Sequence, residues 1–159
     1  MIKFENFKDF FLKPADDLNV QNSLRFRSSQ VVRDENSGYV DLRDLGFSIA
    51  LKEAREFKSY MGLSDGRELV IYAFHFYSEG YEGHSMYDGD LPVSFDETKE
   101  EILHRLGDPY SSGGGAYIAL LRKIAPSWVK YRIEPTAMLH LQFDGATSKV
   151  DLITLGFDE

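Results

Sequence analysis

Twelve consecutive residues, Glu79 to Asp90, hold five side chains able to ligate a metal or move a proton: Glu79, Glu82, His84, Asp88 and Asp90. A histidine with carboxylates suits zinc, and the acids alone suit calcium. Neither spacing is met. There is no H-E-x-x-H pair and no calcium loop closing on a bidentate Glu, so no metal is expected. Tyr77, Tyr81 and Tyr87 interleave with these acids. Aromatics beside charges on a loop suit a protein-binding patch, because rings supply contact area and carboxylates supply steering. The same rings could equally pack the loop onto a sheet. The candidate partner-binding set is therefore Tyr77, Glu79, Tyr81, Glu82, His84, Tyr87, Asp88 and Asp90.

Other chemistry finds less support. The chain has no cysteine, which excludes a disulfide scaffold, a thiol nucleophile and a zinc site with Cys ligands. No serine sits in a Gly-x-Ser-x-Gly elbow. Of the four histidines, His75 and His140 fall within alternating segments and read as sheet-face residues. His104 falls near a helix C-terminus, where a cationic imidazole is favoured. Ser111-Ser112-Gly113-Gly114-Gly115 lacks the lysine of a phosphate-binding loop and reads as a flexible link. No catalytic residue and no cofactor are expected.

The elements that must position these residues follow from periodicity. The first 45 residues carry the weakest signals. Phe4, Phe7, Phe10 and Phe11 fall at helical spacing up to Pro14, and Ala15-Asp16-Asp17 can cap a second short helix with Leu18, Val20 and Leu24. A turn at Asp34–Gly38 suggests a hairpin of Ser28–Arg33 with Tyr39–Asp41. From residue 46 the pattern sharpens. Phe47, Ile49 and Leu51 alternate with polar or small residues, a strand that could run on towards Phe57. Gly62–Gly66 is a loop. Leu69–Tyr77 is β-branched and aromatic throughout, as a central strand should be. A Gly-rich loop follows over Glu79–Leu91.

A helix then starts among Asp96, Glu97, Glu100 and Glu101 and stops at Leu106-Gly107-Asp108-Pro109. Acids favour its start, glycine takes the left-handed cap, and proline cannot continue it. Tyr117–Ile124 reads as a second short helix ending before Pro126. Three strands close the chain: Trp128–Ile133, Met138–Phe143 and Val150–Phe157, the last two joined by a turn at Asp144–Ser148. Strands, a helix pair and a strand meander predict one α+β domain over 1–159, a mainly antiparallel sheet with helices on one face. Met138, His140 and Gln142 oppose Leu139, Leu141 and Phe143, so the other sheet face is expected to meet solvent or a partner.

Composition sets limits. The chain has 159 residues, 43% hydrophobic and 28% charged, enough for one sizeable core. Its net charge is −8. Residues 81–159 hold 7 basic and 13 acidic groups, against 11 and 13 in residues 1–80. No basic cluster exists to displace phosphate counterions, so a nucleic-acid partner is not expected. An acidic surface suits a basic protein partner, or solubility alone. Met1–Asn6 does not open a signal peptide, and no stretch has the apolar length of a membrane span. The expected location is the cytoplasm, without membrane contact.

Residues 45–157 also resemble a family of small cytoplasmic bacterial proteins. The likeness lies in Phe76-Tyr77-Ser78-Glu79-Gly80, Tyr87-Asp88-Gly89-Asp90-Leu91-Pro92, Ser94-Phe95 through Lys99-Glu100, Leu106-Gly107-Asp108-Pro109 and Ser112-Gly113-Gly114. Leu139–Phe143 and Asp151–Leu155 resemble its closing hairpin. Such proteins look like immunity proteins of polymorphic toxin systems, including contact-dependent growth inhibition. The resemblance implies a partner, the cognate toxin domain at the C-terminus of a large secreted effector, bound and blocked stoichiometrically. It carries over no toxin-binding residue and does not reach the first 45 residues. Two other readings stay open: a regulatory or adaptor module with a nontoxin partner, and a small hydrolase using Glu79, Glu82 and His84.

Overall fold

β-Branched and aromatic residues dominate the chain's alternating segments, and those segments pair side by side. The structure is a computed structural model describing residues 1–62 and 64–159; Leu63, inside the expected Gly62–Gly66 loop, lies outside the described residues. The strands are β1 (Val31–Arg33), β2 (Ser37–Leu42), β3 (Phe47–Glu53), β4 (Leu69–Tyr77), β5 (Ser111–Gly113), β6 (Tyr117–Ile118), β7 (Lys123–Ile124), β8 (Ser127–Glu134), β9 (Ala137–Phe143) and β10 (Val150–Phe157). Eight of them form one sheet in the order β1-β2-β3-β4-β10-β9-β8-β5. Every neighbouring pair is antiparallel. β4 and β10 are central, which suits their apolar content.

Alternation assigns each strand an inner and an outer face. In β9, Leu139, Leu141 and Phe143 are buried, while Met138, His140 and Gln142 are half-buried on the other side. The inner face packs against an N-terminal 3-10 turn (Phe4–Phe10) and two helices, α1 (Leu18–Leu24) and α2 (Lys99–Leu106). Phe7 is 2% exposed, with its ring centroid 4.9 Å from Phe74 and 5.1 Å from Phe76. Val20 and Leu24 of α1 and Ile102 of α2 join the same cluster. The fold is α+β, with the helices on one face of an antiparallel sheet, as the sequence predicts.

Capping explains where the helices begin. Asp17 accepts hydrogen bonds from the backbone N–H groups of Asn19 (2.8 Å) and Val20 (3.1 Å). The hydroxyl of Thr98 accepts from the N–H of Glu101; Gly107 ends α2 at φ 80° and ψ −162°, an extended glycine conformation rather than the left-handed cap expected. Glu97, expected in the helix, lies just before this cap and forms an ion pair with Arg105 at 2.6 Å.

Three expectations are corrected. The strand from Phe47 stops at Glu53 and turns through a 3-10 segment at Ala54–Glu56 rather than running to Phe57. Ser111–Gly113 is no flexible link; it is edge strand β5, with Gly113 opposite Trp128. A Cβ on Gly113 would lie 2.5 Å from the Trp128 indole, so glycine here answers to packing. Tyr117–Ile124 is not a helix. Tyr117 pairs with Ile124 and Ile118 with Lys123, as a hairpin through Ala119–Leu121. Eight residues are too few to repay helix nucleation without a face to bury, and this segment buries none.

Candidate partner-binding surface

The sheet face turned away from the helices carries a continuous polar row. Register places Asp41, Ser48, His75, Thr154, His140, Lys130 and Ser111 side by side across seven strands. The Nδ1 of His75 shares a 2.8 Å hydrogen bond with Thr154 Oγ1. Along β4 and β10 the next outward row begins with Tyr77 and Leu152, and it continues through Gln142 and Trp128 to Gly113. The Tyr77 hydroxyl is 2.7 Å from Ser48 Oγ.

Beyond Tyr77 the chain folds back over this end of the sheet. Tyr87 N–H donates to the Tyr77 carbonyl (3.0 Å), and Ser85 N–H to the Arg43 carbonyl (3.0 Å). Gly46, at φ 75°, makes the close approach possible: a Cβ there would sit 2.4 Å from Tyr87 N. At the loop tip Gly80, Glu82 and Gly83 all have positive φ, with Glu82 at φ 48°, and an Arg43 guanidinium N–H donates to the Glu82 carbonyl at 3.0 Å. A left-handed residue with a side chain costs about 1–2 kcal/mol. Glu82→Gly is therefore expected to raise stability by about 0.5–1 kcal/mol in urea denaturation, a gain that glycine's extra chain entropy keeps small.

His84 bolts the loop down. It is 4% exposed and stacked on Tyr77, with centroids 3.7 Å apart and rings 16° from parallel. Its Nε2 is 2.6 Å from Asp41 Oδ1, and its Nδ1 is 3.0 Å from the Tyr81 carbonyl. Asp41 also accepts from Arg43 Nε at 2.8 Å. A second bolt runs to the meander: Gln142 Nε2 donates to the Tyr81 hydroxyl (3.0 Å) and to Asp151 Oδ1 (3.2 Å). Burial pushes the Tyr77 and Tyr81 phenols and the Asp151 carboxyl above their usual values.

The candidate residues thus divide. Tyr77, His84 and Tyr87 are buried, at 8%, 4% and 8% exposure, and cannot meet a partner directly. Tyr87 belongs to the core, packed on Phe47 and Phe76 at 5.9 and 4.8 Å between centroids. Burial first, then Asp88 and Asp90, pushes its phenol up to about 12. Glu79, Glu82, Asp88 and Asp90 are exposed, and Tyr81 is half-buried between the two groups. Glu79 accepts from Met86 N–H (3.0 Å) and Asp90 from Phe4 N–H (2.9 Å). Among the described residues the carboxylates of Glu82 and Asp88 have no hydrogen-bond or ion-pair partner. No three His, Asp or Glu side chains among the described residues gather to hold a metal.

Asp41, Arg43, Ser48 and Asp151 carry no local sequence signal, because only register and loop closure bring them to the site. Alternation did mark Gln142 as outward-facing. It also marks His140, which lies 5.4 Å from the Trp128 ring. Burial, then Lys130 and His75, lowers His140 from 6.5 to about 4, and burial also lowers His75. Between those values the unfolded chain binds more protons than the folded one. The contribution of His140 to stability is therefore complete above pH 6.5 and is lost as pH falls through about 4. After discounting for partial exposure, about 1–2 kcal/mol should disappear on this account. Urea midpoints measured from pH 7 to 4.5 should fall less steeply in His140→Gln than in the unsubstituted chain.

No family model matches this chain, and no solved structure matches it. Among the described residues no helix is long and apolar enough to cross a membrane.

Proposed function

We propose that this chain is an immunity protein, acting in the cytoplasm by binding a cognate toxin domain one-to-one and occluding its active site. One observation carries the reading. Glu82 and Asp88 are exposed, lack internal side-chain partners among the described residues, and project from a loop fastened by His84–Asp41 and Tyr81–Gln142. Charges without internal partners are available to an external one. A loop already ordered loses little entropy on binding. A net charge of −8 steers the chain towards a basic cleft, such as an anion-binding site on the toxin. The sequence resemblance over 45–157 supports this class of partner. The role asks only for binding, so it needs neither catalytic residue nor cofactor.

The test is affinity capture with the tagged full chain from the organism that encodes it, followed by a growth assay. The expected result is near-stoichiometric recovery of the C-terminal region of one large secreted protein. That region, expressed alone, should stop growth, and this chain should restore it. Capture of a housekeeping protein with no toxic fragment would overturn the reading in favour of an adaptor.

A further inference from the structure

Among the described residues, the hairpin of β6 and β7 gathers Tyr117, Ile118, Leu120, Leu121 and Ile124, all exposed, on one short segment. Leu120 is 92% exposed, Tyr117 64%, Leu121 56% and Ile124 55%. Its stem is held in place: Gly115 N–H donates to the Ala125 carbonyl at 2.8 Å, and Ala125 N–H to the Ala116 carbonyl at 2.9 Å. Gly114, at φ 72°, leaves no room for a side chain, since a Cβ there would lie 1.9 Å from the Pro126 carbonyl oxygen. The tip therefore projects from a packed base. Residues 111–127 contain Arg122 and Lys123 and no acid, whereas the rest of the chain has 16 basic and 26 acidic residues.

Position gives this hairpin its meaning. The acidic loop leaves the sheet after Tyr77, and the hairpin leaves it between Gly113 and Ser127. Tyr77 and Gly113 are the two ends of one row, through Leu152, Gln142 and Trp128. Four inter-strand steps separate them, about 19 Å at the usual strand spacing. Both projections thus rise from the same end of the sheet, within the width of one ordinary protein interface.

We infer that the 114–126 hairpin is a second arm of the partner-binding surface, seating Leu120 and Leu121 in an apolar pocket rimmed by carboxylates on the same partner that meets Glu82 and Asp88. The inference rests on the immunity reading for the partner's identity, but not for the geometry of the two arms. Charge complementarity selects the occupant. Arg122 and Lys123 call for acidic neighbours around the apolar pocket. An anionic lipid surface would attract the hairpin but repel the acidic loop beside it.

The test places a photo-crosslinking phenylalanine analogue at Leu120 in one full-length variant and at Glu82 in another. Both are expressed in the organism that encodes the chain, under conditions where it makes its secreted effectors. The expected result is crosslinking of both positions to one protein, the C-terminal domain of a secreted effector. Leu120→Ser with Leu121→Ser should lower capture of that protein at least tenfold with an unchanged melting temperature. Crosslinking at Glu82 without crosslinking at Leu120 overturns the hairpin inference and leaves the immunity reading intact. So does crosslinking at Leu120 only to a second copy of this chain or to lipid. Crosslinking of both positions to one protein that is no effector keeps the two-armed surface and overturns the immunity reading. No protein crosslinked from either position overturns both.

Discussion

Tyr87→Ala is expected to lose about 3–5 kcal/mol of stability, the typical cost of removing a large ring from a packed core. The ring is 8% exposed and lies edge-on to Phe47 and Phe76, with Phe7 6.5 Å away between centroids. All four aromatics come from different elements, so the cavity left by Ala is walled by rings that cannot all close in. A domain of this size holds about 5–15 kcal/mol in total, and the loss is a large share of it. Tyr87→Phe keeps every ring contact and should stay within about 1 kcal/mol of the unsubstituted chain. Urea denaturation followed by circular dichroism reads both. The sequence alone offered Tyr87 as a partner anchor. Were it one, Ala would weaken capture at an unchanged unfolding midpoint, which is the opposite of the result expected here.

Reversing Glu82 and Asp88 together to Lys should do the converse. Neither carboxylate has an internal side-chain partner among the described residues, and both are exposed, so the unfolding midpoint should barely move. Affinity for the captured partner should fall about a hundredfold, or about 3 kcal/mol, because two attractive contacts become repulsive. Gln at both positions should lose less, since it removes attraction without adding repulsion. High salt should narrow the gap between variant and unsubstituted chain. Unchanged affinity in the double reversal would remove the acidic loop from the interface. Read with the Tyr87 pair, it separates residues that hold the loop from residues that use it.

Particular segments show why some features were legible and others not. Leu69–Tyr77 and Val150–Phe157 form strands with the expected ends, because long β-branched and aromatic runs leave the backbone few alternatives. Leu106-Gly107-Asp108-Pro109 ends α2 where expected, because a glycine at positive φ with a proline beyond it stops a helix locally, although Gly107 does not take the left-handed cap. The Tyr117–Ile124 segment misled. Ala, Leu, Arg and Lys favour helix intrinsically, but propensity is a weak prior for a short segment without a packing face. By composition the glycines at 113 and 114 suggest a flexible link. They answer instead to the Trp128 indole and the Pro126 carbonyl, neither of which has a signature in the glycine run itself.

The α+β class, the central strands, the outward alternation of His140 and Gln142, and the acidity and aromaticity of residues 77–90 are legible in the amino-acid order alone. Each of these is written in composition or in short-range periodicity, where backbone sterics and burial act over a few residues. Which of those residues face solvent follows from long-range packing. Tyr77, His84 and Tyr87 are buried because Asp41, Phe47 and Ser48, distant along the chain, meet them through strand register and loop closure. Glu82 and Asp88 stay exposed, and neither carboxylate forms an ion pair among the described residues. Pairing across a sheet joins residues dozens of positions apart, and one residue of register moves every side chain to the other face. That information is carried by the assembled sheet and by no local stretch of sequence.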